Sequence, residues 1–180
     1  MQFIRSRRLI PSLTILFFVV CFPGSGKSQI VAFGASNVAG RGVLPGQAWP
    51  AQLEKLLKDK GYNVHVKNAG FNGETTPHML SRINSAIPPG TKIVILDLSG
   101  GLYNNSKKTS LPPEKGEADM RAIGDRIKSR GITIVPESTN KMPLAYRQID
   151  RVHLNPEGHR LFAEQLLPQV IRALNGARSR

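Results

Sequence analysis

The stretch Ile30-Val31-Ala32-Phe33-Gly34-Ala35-Ser36-Asn37 decides the fold of this chain. Its first four residues are apolar, as in a buried strand, and a glycine and a serine follow closely. In parallel α/β sheets, functional residues lie in the loops at the carboxyl ends of the strands. The stretch therefore predicts a strand that ends at a functional loop, with Ser36 as the candidate nucleophile.

Strand-like and helix-like segments alternate along the rest of the chain. Short apolar runs predict further strands at 64–66, 93–98 and 132–135. Apolar residues at helical spacing, with proline near the start or glycine after the end, predict helices between them. The last helix is predicted to begin at Asn155-Pro156 and to be kinked or divided at Pro168. The residues that mark the earlier helices are Trp49, Leu53, Leu56, Leu57 and Gly61; Thr76, Pro77, Leu80, Ile83 and Ile87; and Met120, Ile123, Ile127 and Gly131.

This alternation predicts an α/β fold. Strands joined by helices pair in parallel and require helices on both faces of the sheet. We therefore expect a three-layer α/β/α sandwich with a parallel, flavodoxin-like sheet of four to five strands. The loops at Ser36, 68–73 and 100–105 each follow a strand, so they should meet at one rim of the sheet.

A second informative stretch runs from Ile149 to His159. Asp150 precedes His153 by three residues, so both side chains can lie on one short loop, as a base and the group that orients it. With Ser36 far upstream, the chain carries the three residue types of a nucleophilic hydrolase. We therefore predict that Ser36, His153 and Asp150 act together.

The amino-terminal segment has the organisation of a secretory signal peptide. Basic residues within 5–8 precede an uncharged run at 9–22, and small residues follow at 24–26. The uncharged run is shorter than the ~20 residues of a membrane-spanning helix, although an uncleaved N-terminal anchor is an alternative. We therefore predict that residues 1–28 are a signal peptide and that residues 29–180 form a secreted or periplasmic domain.

The composition gives little support to nucleic-acid binding. The chain has 25 Lys and Arg residues against 12 Asp and Glu residues, a formal net charge of +13. These basic residues are scattered, and aromatic residues do not alternate with them as in a stacking platform. Weak association with an anionic membrane surface suits a secreted basic protein better, and a solvated basic surface without a partner suits it better still. The single cysteine, Cys21, lies in the predicted signal peptide, so no disulfide is expected in the mature domain.

A glycine-rich stretch at 23–28 imitates a phosphate-binding loop. Pro-Gly-Ser-Gly-Lys-Ser matches the end of that motif, but Cys21 stands where its first glycine is required. A strand-like run follows Ser28, whereas the motif requires a helix whose N-terminus meets the phosphates. The sequence therefore opposes a nucleotide site, and nucleotide binding would predict loss of function on deletion of 1–28.

Three blocks of the sequence resemble those of the SGNH (GDSL-type) hydrolase family, over about residues 30–174. Residues 34–37, Gly-Ala-Ser-Asn, resemble the block that carries the nucleophile. Residues 68–76, Asn-Ala-Gly-Phe-Asn-Gly-Glu-Thr-Thr, resemble the second block, whose glycine corresponds to Gly73. Residues 150–153, Asp-Arg-Val-His, resemble the last block, Asp-x-x-His. Occurring together in this order, the blocks are far more specific than any one of them.

The resemblance implies a serine esterase mechanism. Ser36 would attack an ester carbonyl, and His153 would accept its proton and return it to the leaving alcohol. Asp150 would hold the imidazole in the correct tautomer. The backbone N–H groups of Ser36 and Gly73 would face the developing oxyanion.

The family has a further block, the third of four in sequence order, and here this chain departs from the family pattern. The family has Gly-x-Asn-Asp, whose asparagine gives a third oxyanion donor, whereas residues 99–105 read Ser-Gly-Gly-Leu-Tyr-Asn-Asn. An ungapped match places Leu102 at that position, and leucine cannot donate a hydrogen bond. Asn104 becomes the candidate donor if the loop carries two extra residues, and Asn105 is the weaker choice. Ala35 also replaces the usual aspartate beside the nucleophile.

The resemblance thus implies a secreted or periplasmic serine esterase that acts on carboxylic esters through an acyl-enzyme. Aryl or short acyl esters, lysophospholipids and thioesters are all candidate substrates. The alternative is a degenerate member of the same fold that binds acylated glycans or lipids without turnover. No cofactor or metal is expected, because the histidines outside the last block lack partners at metal-ligand spacing. These are His65, His78 and His159.

Overall fold

The chain forms one four-stranded sheet with helices between the strands, as the alternating pattern predicts. The computed structural model describes residues 28–178. The strands are β1 (Ser28–Gly34), β2 (Val64–Gly70), β3 (Thr91–Asp97) and β4 (Thr133–Glu137). The α-helices are α1 (Ser36–Ala39), α2 (Trp49–Asp59), α3 (Thr76–Ala86), α4 (Gly100–Lys108), α5 (Pro113–Lys128) and α6 (Pro156–Arg178). Single 3₁₀ turns lie at Pro45–Gln47, Thr139–Lys141 and Leu144–Tyr146.

All strand pairs are parallel, and the spatial order is β2-β1-β3-β4. Alternate residues of β1 and β3 point to opposite faces, so each face carries its own apolar core. On one face Ile30 and Ile95 pack with residues of α2 and α6. On the other face Val31 and Val94 pack with residues of α3 and α5. This confirms the three-layer α/β/α sandwich with a four-stranded parallel sheet.

Helix α6 continues through Pro168, so of the two effects predicted for this proline, division of the helix is wrong. Proline removes one intrahelical hydrogen bond and crowds the preceding turn. Leu166 and Val170, on either side of Pro168, are both buried in the core, as is Leu174 one turn later. Burial of this apolar stripe on both sides of the proline stabilises the continuous helix.

Helix α4 also differs from its prediction, because residues 100–105 were expected to form a loop. Gly100 and Gly101 are poor helix formers, and no helical apolar spacing marks the segment. The helix is held from outside: Oδ1 of Asp97 accepts hydrogen bonds from the N–H groups of Ser99 and Gly100, each at 2.9 Å. A carboxylate that satisfies N–H groups at the start of a helix stabilises that end.

The carboxyl ends of the strands form the rim that carries the functional loops. Gly70, at the end of β2, lies so close to α1 that a Cβ atom there would stand 2.1 Å from the backbone nitrogen of Ala39. Only glycine allows this approach, so the loop after β2 lies directly against the helix that begins with Ser36. The expected meeting of loops at one rim is therefore realised.

The predicted signal peptide lies outside the described residues, apart from its last residue. Among residues 28–178, none of the helices is both long and apolar enough to cross a bilayer.

Candidate active site

Ser36, His153 and Asp150 are in hydrogen-bond contact, although Ser36 is distant from the other two in sequence. Nε2 of His153 lies 2.9 Å from Oγ of Ser36, and Nδ1 lies 2.5 Å from Oδ2 of Asp150. Ser36 begins α1, and the other two lie on the loop before α6. If Asp150 accepts from Nδ1–H, Nε2 is free to accept the serine proton. This arrangement can activate a serine nucleophile.

The loop itself fixes the carboxylate of Asp150. Its Oδ1 accepts from the backbone N–H groups of Val152 and His153, both at 3.0 Å. Partial burial alone would raise the pKa of Asp150, but hydrogen bonds from His153 and Val152 outweigh it and lower that pKa to about 2. The intervening Arg151 has a φ of 59°, in the left-handed region. Asp150 is therefore ionised at neutral pH, as an orienting carboxylate must be.

Asn37 joins the serine loop to the histidine loop, a role that was not inferred from the sequence. Its Nδ2 donates to Oγ1 of Thr139 at 3.1 Å and to the carbonyl of Val152 at 3.3 Å. Its Oδ1 accepts from the N–H of Leu154 at 2.9 Å. Because Asn37 directly follows Ser36, these bonds hold the hydroxyl near the loop that carries His153.

Asp97 supports the serine loop from the end of β3, and it too was missed. Its buried side chain accepts from the N–H of Ala35 at 3.1 Å, in addition to the start of α4. Ala35 replaces the acid expected beside the nucleophile, and a carboxylate on the neighbouring strand contacts that same residue. A charged residue ending the apolar run of β3 is the signal by which Asp97 can be found in the sequence.

Gly73 and Asn104 line one cleft together with Ser36 and His153. Gly73 has a φ of 72°, which favours glycine in this turn. Nδ2 of Asn104 donates to the carbonyl of Glu74 at 2.8 Å, so α4 is tied to the loop after β2. The residues predicted to supply the oxyanion donors, Ser36, Gly73 and Asn104, are thus brought together.

The other two candidates in the third block have different surroundings. Asn105 accepts from the N–H of Thr76 at 3.0 Å and donates to its Oγ1 at 2.8 Å. Leu102 lies beside Gly116 of α5. Since neither lines the clefts beside Ser36, Asn104 is the residue of this block that is placed to meet a substrate there.

Two clefts open beside Ser36 and share Tyr103, Asn104 and Val152. The larger has a volume of about 440 Å³ and includes the apolar side chains of Met142 and Leu144. The smaller has a volume of about 280 Å³. An ester has two halves on either side of its carbonyl, so two clefts that meet at a nucleophile can hold one half each.

The remaining histidines have structural or surface surroundings. His159 is buried, and its Nδ1 accepts from the backbone N–H of Trp49 at 3.2 Å. His65 lies at the surface 2.9 Å from Glu54, and His78 lies 3.4 Å from Glu74. Across residues 28–178, no group of three or more His, Cys, Asp or Glu side chains is arranged to hold a metal ion.

Curated relatives of this chain are esterases. The chain is 24% identical to the esterase TesA of Pseudomonas aeruginosa over 121 residues, which cover 67% of this chain and 58% of that protein. It is 25% identical to an arylesterase of Vibrio mimicus over 121 residues, covering 67% of this chain and 59% of the relative. The chain thus spans less than two thirds of the length of these relatives.

Solved structures of other proteins share this fold, and a sequence model of one family matches most of the chain. The esterase EstA from Pseudoalteromonas sp. superposes with a TM-score of 0.71 at 14% identity, covering 83% of this chain and 100% of that one. The SGNH-hydrolase family esterase AlinE4 gives 0.59 at 24% identity, covering 83% and 97% respectively. The model of the GDSL-like lipase/acylhydrolase family matches residues 32–151, two thirds of the sequence. With the parallel sheet and the loops described above, this match shows that the chain belongs to the GDSL-like lipase/acylhydrolase family.

Proposed function

We propose that this protein hydrolyses carboxylic esters, with Ser36 as nucleophile, His153 as general base and acid, and Asp150 as the group that orients His153. The observation that carries the proposal is the 2.9 Å separation between Oγ of Ser36 and Nε2 of His153. A serine hydroxyl is a weak nucleophile unless a base within hydrogen-bond reach removes its proton. Membership of an acylhydrolase family supports ester hydrolysis as the reaction.

The proposed reaction proceeds in two halves. Oγ of Ser36 attacks the ester carbonyl carbon while its proton passes to Nε2 of His153. The C–O bond to the alcohol then breaks, and the same proton goes to the leaving oxygen, so the acyl group remains on Ser36. A water molecule, deprotonated by His153, attacks this acyl-enzyme and releases the carboxylic acid and the free serine.

The negative charge that develops on the carbonyl oxygen requires hydrogen-bond donors. We assign this role to the backbone N–H groups of Ser36 and Gly73 and to Nδ2 of Asn104. The support is that all three residues line the same cleft. Only one N–H of the Asn104 amide is used by the carbonyl of Glu74, so the second remains available for the oxyanion.

Hydrolysis of p-nitrophenyl acetate and butyrate by the purified full-length chain tests the proposal. Ser36→Ala should reduce turnover to the background rate, because the nucleophile is lost. The matched control is Ser81→Ala on the exposed side of α3, whose hydroxyl bonds only the carbonyl of His78; it should keep wild-type turnover. Equal rates in wild type and Ser36→Ala would count against an enzyme that uses Ser36.

Labelling of Ser36 by a fluorophosphonate probe separates the proposal from its alternative. An activated serine reacts with such a probe, and Ser36→Ala should abolish the labelling. A wild-type protein that neither reacts with the probe nor hydrolyses these esters would contradict an activated Ser36 and would favour the alternative, a member that binds acylated glycans or lipids without turnover. Leu102, at the position where the family has its asparagine, is the feature that favours this second function.

We also propose that the enzyme acts outside the cytosol. The support is the basic, apolar and small-residue order of residues 1–28. Export of a reporter fused to these residues should be lost when the basic residues at 5–8 are replaced by glutamine or when the apolar run is interrupted by charge. A reporter that stays in the cytosol with the unaltered segment would contradict export.

A further inference from the structure

The smaller cleft beside Ser36 carries an unusual concentration of positive charge. Arg41, Lys107 and Lys108 all line it, together with His153 and Asp150. Asp150 is the single carboxylate in this lining, and it is already bonded to His153. We call this space, defined by Arg41, Lys107 and Lys108, the basic cleft.

These three cations have no acidic partner in the part of the chain that the structure describes. Nζ of Lys108 donates to the carbonyl of Gly73 at 3.1 Å, and Nζ of Lys107 lies 5.8 Å from the ring centre of Tyr103. By contrast, Lys55, Lys115 and Arg160 each contact a carboxylate elsewhere on the surface. Unpaired cations that converge on one concave space attract an anion there.

The position of His153 indicates which half of an ester would occupy the basic cleft. During hydrolysis, Nε2 of His153 must return a proton to the leaving oxygen, so the alcohol half has to lie on the side of the imidazole. His153 lines the basic cleft and does not line the larger one. The larger cleft, with Met142, Pro143 and Leu144, is left for the acyl half.

The cations of the larger cleft do not reproduce this arrangement. Arg147 donates to the carbonyls of Met142, Val152 and Thr139, so its guanidinium holds the loop together. Arg151 is then the remaining basic side chain of that cleft. The charge therefore favours an anion on the alcohol half over an anion on the acyl half.

We propose that this enzyme prefers esters whose alcohol half carries a carboxylate or phosphate group, which binds to Arg41, Lys107 and Lys108 in the basic cleft. The inference rests on the proposed function, since it assigns a substrate class to the same site. In the first half-reaction the C–O bond breaks, the leaving oxygen takes the proton from His153, and the anionic alcohol departs from the basic cleft. Its negative charge takes no part in the bond changes and contributes to binding alone.

The matched substrates that test this preference are 3-acetoxybenzoate and 3-acetoxybenzamide. Both transfer the same acetyl group, and their phenol halves differ by one negative charge. The quantity to measure is the ratio of kcat/KM for the anionic ester to that for the neutral ester. Comparing this ratio between variants cancels the difference in intrinsic reactivity of the two esters.

The test variant is Arg41→Gln/Lys107→Gln. Lys108 is retained because its ammonium group donates to the backbone carbonyl of Gly73, a residue assigned above to the oxyanion site. An exposed ion pair changes binding by a factor of roughly 1.5–5, so the loss of two should lower the ratio by a factor of roughly 2–25. The same ratio in the wild type should fall in ~1 M NaCl, where the screening length is ~3 Å.

The control variant, Lys60→Gln/Lys92→Gln, removes the same charge at a distance. Both lysines are exposed, and they lie at the end of α2 and the start of β3, opposite the functional rim. This control should keep the wild-type ratio. A ratio that is equal in wild type, test variant and control overturns the inference.

Two further substrates locate and identify the anion. An aryl hemisuccinate carries its charge on the acyl half. If Arg41→Gln/Lys107→Gln lowers kcat/KM for this ester more than for 3-acetoxybenzoate, the assignment of the halves is overturned.

The ester 3-acetoxyphenyl phosphate identifies the preferred anionic group. If Arg41→Gln/Lys107→Gln lowers its kcat/KM more than that of 3-acetoxybenzoate, phosphate is the preferred group, and if the decrease is smaller, carboxylate is preferred.

Failure of the inference and failure of the proposed function give different results. If hydrolysis of the neutral ester depends on Ser36 while the charge ratio is the same in every variant, the esterase stands and the anionic preference is overturned. If hydrolysis of both esters is independent of Ser36, both proposals are overturned.

Discussion

Asn104 lies where its side-chain amide can meet an oxyanion formed at Ser36. A hydrogen-bond donor that acts on the developing charge stabilises the transition state much more than it stabilises the bound substrate. We predict that Asn104→Ala lowers kcat by ~10²–10³, about 3–4 kcal/mol, with a small change in KM. Steady-state kinetics with p-nitrophenyl butyrate measure both constants.

The control for this prediction is Asn84→Ala, which removes an exposed amide from α3 far from the clefts. Because Nδ2 of Asn104 also bonds the carbonyl of Glu74, thermal unfolding of Asn104→Ala should be recorded beside its kinetics. A folded Asn104→Ala protein that keeps more than about a third of the wild-type kcat would show that this amide is not an oxyanion donor.

Ser36, Asp150 and His153 could be found from the sequence because their signals are local. A serine after an apolar run, and an Asp three residues before a His, are visible within a few positions. The bonding partners of the supporting residues could not be found in this way. Asp97 bonds Ala35 across 62 positions and Asn37 bonds Thr139 across 102, so their roles depend on contacts that exist only in the folded sheet.

At the scale of elements, the order of strands and helices was predictable, and two local details were not. Apolar periodicity identified all four strands and the long helices, because burial of a stripe stabilises them. Helix α4 has no such stripe, and its start is stabilised by Asp97 from the preceding strand. Tertiary contacts can thus override weak helix propensity, as they also do at Pro168.

Pro168 lies at an exposed position of α6. We predict that Pro168→Ala stabilises the protein by about 1–3 kcal/mol, because it restores a backbone N–H donor within the helix. The gain is smaller than the full difference in helix propensity between proline and alanine, because alanine also increases the conformational entropy of the unfolded chain. Urea unfolding of both proteins at one pH measures the change.

The neighbouring Gln169→Ala is the control for this substitution, since Gln169 is exposed on the same helix and has a backbone N–H already. It should change the free energy of unfolding by less than about 0.5 kcal/mol. A Pro168→Ala protein that is less stable than the wild type would mean that the local shape imposed by proline is needed for α6 to pack on the sheet.

For the molecule as a whole, two buried titratable groups give stability opposite dependences on pH. Burial, and secondarily the charge of His153, lower the pKa of His159 to about 4. Burial, and secondarily the charge of Asp97, raise the pKa of Glu137 well above its usual value. At pH values between the lowered pKa of His159 and the raised pKa of Glu137, the folded protein therefore holds both groups in their neutral forms.

The two signs follow from which state binds more protons. Below the ordinary histidine pKa of ~6.5, the unfolded chain protonates His159 and the folded protein does not, so stability falls as the pH falls towards 4. Between the ordinary glutamate pKa of ~4.3 and the raised pKa of Glu137 in the folded protein, the unfolded chain ionises this group and the folded protein does not, so stability falls as the pH rises through that window. Between pH 5 and 7 the two contributions partly cancel in the wild type.

Replacing His159 separates these contributions. His159→Gln keeps an acceptor for the N–H of Trp49 but cannot titrate. Relative to this variant, the free energy of unfolding of the wild type should fall by about 2 kcal/mol from pH 7 to pH 5. The fall is about 1.4 kcal/mol for each pH unit below the ordinary histidine pKa of ~6.5. Glu137→Gln should show the reverse, with stability relative to the wild type increasing from pH 5 to pH 7. Urea unfolding of the three proteins at both pH values measures these differences, and parallel pH dependences in all three would mean that neither group stays neutral on folding.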